Sequence, residues 1–238
     1  MVRGPAAVLG LLGLAQAYVL VAPDLPAVTP AELGTVLACA AGAAAVIACV
    51  AGVVPVADVP PLLVLVLAGA AVLVCGFDVA HLGAAATPVE AVAYGAGGAL
   101  FATALMAPSL ALALPVFVAG LEVVSLLAGG PGDILLGTGA THLGDPLALE
   151  LPGWGTGGPA GALAITQAAF AGVFLAYGRR YGFRRTATAV GLWAAIVVAV
   201  AVKVWADRSV PVLALMVAAY LLVNADRVPA LARLAGHD

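Results

Sequence analysis

Residues 33–57 read LGTVLACAAGAAAVIACVAGVVPVA, a stretch without one charged side chain. About 20 apolar residues wound as a helix cross the hydrocarbon core of a bilayer, so this run is long enough to span it. Glu32 and Asp58 flank it, with Pro23, Pro26 and Pro30 before and Pro60 and Pro61 after. Proline and charge therefore mark where the chain leaves the apolar phase. Working outward, comparable runs are expected at 5–22, 60–77, 89–106, 109–128, 159–178, 187–206 and 209–224. Gly95, Gly97 and Gly98 weaken the run at 89–106 as a helix, yet they equally permit close helix packing. The expected fold is an all-α, polytopic integral membrane bundle of about eight transmembrane helices.

Composition agrees. The chain has 238 residues, 64% apolar and 9% charged, with a mean hydropathy of +1.18. Soluble domains carry about 25% charged residues, and so few charges cannot cover a water-facing surface of this size. In hydrocarbon every backbone N–H and C=O must be satisfied internally, which leaves helices or closed barrels. A barrel needs short alternating strands, and these runs are long and unbroken. The net charge of −3 argues against nucleic acid as a partner. Cys39, Cys49 and Cys75 lie inside apolar runs and read as small packing residues. Arg3, an apolar run and Ala15-Gln16-Ala17 imitate a signal peptide, but Gly4 to Ala22 is long enough to be retained as a first span.

Charge sets the expected orientation. Arg179, Arg180, Arg184 and Arg185 fall within seven residues, and the positive-inside rule puts them in the cytoplasm. By alternation Arg3, Arg227 and Arg233 are also inside. Acidic connections at Asp24/Glu32, at Asp78/Glu90 and over 129–158 are outside. Both termini are then inside. The chain reads as a single membrane domain over 1–238: four N-terminal spans in 1–108, four further spans in 109–224 with the outer loop 129–158, and a cytoplasmic tail at 225–238. A plasma membrane location is expected.

Few polar groups lie at membrane depth, where they are candidates for function. Glu122 in the fifth span and Gln167 in the sixth sit roughly 10 Å below the outer boundary, at 1.5 Å per helical residue. At matched depth they could form a polar clamp between helices. Lys203 and Asp207, spaced for an i,i+4 pair, read as a snorkelling lysine with its counter-charge. Asp78, His81 and Glu90 share one outer connection, and His142 and Asp145 another, without a metal-site signature. No metal or cofactor is expected. Trp154, Trp193 and Trp205 fit interfacial anchoring or packing, Trp193 lying deeper.

The sixth span runs from Gln167 through Gly172-Val173-Phe174-Leu175-Ala176 to Arg180-Tyr181. It resembles the presenilin and signal peptide peptidase family of intramembrane aspartyl proteases. There a Gly-x-Gly-Asp motif precedes a Gly-Leu-Phe-Leu-Ala run and a basic-aromatic end. Gln167 stands where that aspartate would be. Glu122, in Leu121-Glu122-Val123-Val124-Ser125, corresponds to the first aspartate. Pro211-Val212-Leu213 corresponds to the Pro-Ala-Leu that opens the family's last span. The resemblance covers about residues 115–224 and implies a four-span core. With its long loop outside, the chain is similar to the signal peptide peptidases, with one span fewer before the core.

The departures bear on chemistry. Aspartyl proteolysis needs two carboxylates sharing a proton, one acting as base and one as acid. Gln167 does not ionise, and Ile165-Thr166 replaces the glycine-containing lead-in. Glu122 carries its carboxylate one methylene further out, and a misplacement of about 1 Å can cost 10²-fold. The resemblance therefore implies a relative without the catalytic pair, whose partners are the lipid bilayer and other transmembrane segments. Two alternatives stay open: a small-solute transporter or channel, and a membrane-embedded hydrolase in which Asp133 or Asp145 joins Glu122.

Overall fold

A computed structural model describes residues 4–80, 83–128, 147–155 and 158–235, with nine α-helices among them. These are α1 (Gly4–Val21), α2 (Ala31–Val53), α3 (Pro60–Val79), α4 (Thr87–Ala104), α5 (Leu110–Leu127), α6 (Ile165–Arg180), α7 (Arg185–Ala206), α8 (Val212–Val223) and α9 (Val228–Ala235). A 3₁₀ turn, Val54–Asp58, prolongs α2. Two short strands, β1 (Ala148–Pro152) and β2 (Pro159–Ala164), pair antiparallel.

The chain is mostly helical. Ala31–Asp58, Pro60–Phe77, Leu110–Leu127 and Arg185–Ala206 are long and apolar enough to cross a membrane, and two shorter helices, Val8–Asp24 and Val212–Val223, are also apolar. α2, α4, α6 and α7 form the centre. α1 packs on α2, α3 on α4, α8 on α7, and α5 sits at the edge against α8. α3 and α5 turn large apolar side chains outward: Leu65 is 66% exposed, Val72 72% and Phe117 62%. Water-soluble surfaces rarely carry such continuous apolar faces, and this one is compatible with a membrane protein.

α4 and α6 pack most closely, and glycine is the reason. A Cβ on Gly98 would collide with the carbonyl oxygen of Ala169, and one on Gly172 with that of Gly95. Small residues let the two backbones touch, as in membrane helix pairs generally. Gly97 faces open space and has no part in the contact.

One expectation needs correction. Residues 159–164, assigned to the sixth span, are a strand, and the helix begins at Ile165. Part of the loop 129–158 is likewise the partner strand, with Leu149 facing Leu163 and Glu150 facing Ala162. Pro152 and Pro159 bracket a glycine-rich reversal closed by Gly153 N–H to Gly158 C=O at 3.0 Å. β1 is buried throughout, and Leu151 fills the space over Gly42 in α2. α1, α2 and α4 surround this hairpin and cover its backbone. The tail 225–238 contains α9, which has Pro229 in its first turn, buries Leu231 and exposes Arg233.

Candidate functional site

α8 starts after Pro211, and its first intrahelical bond runs from Leu215 N–H to Pro211 C=O at 3.2 Å. The earlier N–H groups of a helix have no intrahelical acceptor. Here one acceptor comes from another helix: Glu122 Oε2 on α5 accepts from Ala214 N–H at 2.9 Å. A carboxylate at that place also meets the positive end of the α8 dipole.

Gln167 does the corresponding work on its own helix. It occupies the third position of α6, and its Oε1 accepts from Ala164 N–H at 2.8 Å. This is the reach-back half of a capping box, and the alanine at the cap itself supplies no reciprocal side-chain acceptor. Among the described residues Glu122 and Gln167 do not bond to each other.

An aromatic contact joins α6 to α8. α7 returns the chain between them, so α6 and α8 run parallel. Phe174 stacks on Tyr220 with ring centroids 5.0 Å apart. Seven residues earlier on each helix stand Gln167 and Leu213, and positions i and i+7 share a helical face. Gln167 and Leu213 therefore stand one i, i+7 step from that ring contact on their own helices, and both are buried. Glu122 reaches the opening of α8 through Ala214.

At the opposite ends of α6 and α8 the arginine-rich segment is tied down. Arg179 Nε donates to Asp58 Oδ1 at 2.8 Å, and its Nη2 contacts Oδ2 more closely still. The aspartate raises the Arg179 guanidinium above its ordinary range. Tyr177 O–H donates to Leu105 C=O at 3.1 Å, and Tyr181 O–H to Met106 C=O. Arg184 pairs with Asp226 at 2.9 Å. Buried Asn224 accepts from Arg184 N–H at 2.9 Å and donates to Thr188 Oγ1 at 2.9 Å and Tyr220 C=O at 2.8 Å.

The other singled-out residues have structural roles. Lys203 and Asp207 pair at 3.1 Å, Asp207 closing α7 in the left-handed conformation. Trp193 Nε1–H donates to Ala40 C=O of α2 at 2.8 Å, a packing role at depth. Trp154 Nε1–H donates to Tyr18 Oη at 3.2 Å, binding the hairpin to α1. Trp205 is exposed, and Cys39 and Cys49 are buried packing residues, whereas Cys75 is exposed. Arg3, His81, Asp133, His142, Asp145 and His237 lie outside the described residues, as does the side chain of Asp78.

Several features escape sequence reading. Glu90 and Glu150, assigned to outer connections, are buried. Glu150 C=O accepts from Thr87 Oγ1 at 2.6 Å, and its carboxylate lies over Gly83. Asn224 could have been noticed as an amide ending the apolar run of α8, whereas the Ala214 N–H has no side-chain signature at all.

No family model, curated protein or solved structure matches the chain. The geometry alone bears on its role.

Proposed function

We propose that the chain is an eight-span, presenilin-type protein of the plasma membrane, with both termini inside, that lacks protease activity and holds other transmembrane segments. The observation that carries this reading is the Glu122 bond to Ala214 N–H. It joins the position that resembles the family's first aspartate to the helix opening that resembles the family's Pro-Ala-Leu, and this supports the reading.

The chemistry of these residues argues against proteolysis. A shared proton needs two ionisable groups. Gln167 is an amide committed to its own helix cap, and the Glu122 carboxylate is committed to another helix. What remains is a scaffold. α5 contacts chiefly α8, and its other side presents Val116, Phe117, Val124 and Leu127 outward. That face suits lipid or another apolar helix.

Two features support the orientation. The C-terminal ends of α2, α4, α6 and α8 gather around the arginines through the Asp58, Leu105, Met106 and Asn224 contacts. In an alternating bundle those ends share one side, and the positive-inside rule makes it the cytoplasmic one.

The test is a liposome assay on the full chain with a fluorogenic transmembrane peptide. The reading expects no product above protein-free liposomes, and capture of the peptide by a photo-crosslinker at position 117. Cleavage that disappears in Glu122→Gln would establish a protease instead. Adducts to lipid alone would remove the segment-holding role.

A further inference from the structure

A cleft of about 620 Å³ opens where α2, α4 and α6 end, lined among others by Asp58, Thr103, Tyr177, Arg179, Arg180 and Arg185. Its hydroxyl hydrogens are already used: Thr103 donates to Leu100 C=O at 2.6 Å and Tyr177 to Leu105 C=O at 3.1 Å. The arginines are the donors left over. Asp58 pairs with Arg179, while Arg180 and Arg185 have no carboxylate partner among the described residues. Three arginines thus share this lining with one aspartate, and the Arg180 guanidinium lies over the Tyr181 ring, 6.0 Å from its centroid. Arg185 interacts electrostatically with Arg179 as well as with Asp58. Arginines held together in a concave wall repel one another until an anion lies between them.

The kind of anion follows from the donors and the room. Guanidinium forks match phosphate oxygens two at a time and are weakly hydrated. Ligand sites range over about 300–1,000 Å³, so this one has room for a phosphoryl group with or without a substituent. Ala57, Ala102, Met106 and Ala176 also lie in the lining, which supplies apolar surface beside the charged groups.

We propose that this cleft binds a phosphoryl anion, supplied by the headgroup of an anionic phospholipid or by free phosphate. The proposal is independent of the Glu122 bond and would survive the failure of the presenilin-type reading.

The full-length protein is placed in nanodiscs of phosphatidylcholine, with or without phosphatidylglycerol. Its thermal midpoint is measured with inorganic phosphate or with chloride at equal ionic strength. A rise with phosphatidylglycerol alone assigns the lipid headgroup, and a rise with phosphate in pure phosphatidylcholine assigns the free anion. In either case Arg180→Gln/Arg185→Gln should weaken the apparent affinity about tenfold or more, as expected for lost charged hydrogen bonds. Arg233→Gln should keep it. Arg180→Gln alone removes an exposed side chain, preserves the fold and should show a smaller loss in the same direction. No midpoint rise with either anion, or a rise unchanged in both Arg180 variants, overturns the proposal.

Discussion

Glu122 and Gln167 each end on a backbone N–H at the start of a helix, one across a helix pair and one within its own first turn. This makes the Glu122 bond a tie between α5 and α8. Glu122→Ala strips Ala214 of its acceptor and should lower stability by about 1 kcal/mol, the scale of interhelical polar contacts in membranes. Glu122→Gln keeps an acceptor oxygen and should lose less. Unfolding of the purified chain in mixed micelles measures both, and equal losses would mean that the hydrogen bond contributes nothing. Both positions were legible in the sequence because polar residues are scarce in its apolar runs. Their partners were not, because backbone donors leave no trace in residue identity. The clamp expected between the two side chains is replaced by two separate caps for that reason.

At the scale of elements, most helix bounds were legible because proline punctuates them, but α4 and α6, expected as spans, are not among the described helices that are long and apolar enough to cross a membrane. The first helix, expected over 5–22, is Gly4–Val21, and the seventh, expected over 187–206, is Arg185–Ala206. The hairpin was not legible. Pro159-Ala160-Gly161-Ala162-Leu163-Ala164 carries no charge, and hydropathy does not separate a buried strand from a buried helix over so short a run. The glycines of α4 were readable only as a possibility of close packing. Of the three, Gly95 and Gly98 lie at contacts and Gly97 does not. Gly98→Val should therefore force α4 from α6 and cost about 1–3 kcal/mol or more, the range for overpacking, whereas Gly97→Val should be nearly neutral. The difference in thermal midpoint between the two variants reads this directly. Equal midpoints would contradict the α4–α6 contact.

At the scale of the whole molecule, one alternation of charge and one gathering of helix ends point the same way. The arginines after α6 sit with Asp58, Met106 and Asn224, and Asp24 lies in a connection assigned to the other side; Lys203 and Arg208, near the outer end of the seventh span, are the two basic residues that depart from the alternation. Composition was enough to expect a membrane bundle. It could not reveal that the end holding the arginines also holds a cleft, because that depends on where four separate segments meet. The central claim is the membrane-crossing, N-in and C-in arrangement of this bundle. Its most direct test is labelling of single cysteines in a background with Cys39, Cys49 and Cys75 replaced by alanine, using a membrane-impermeant maleimide on intact cells. Cysteines at positions 24 and 208 should label from outside, and a cysteine at position 227 only after the membrane is opened. Labelling of all three from the same side would contradict the arrangement.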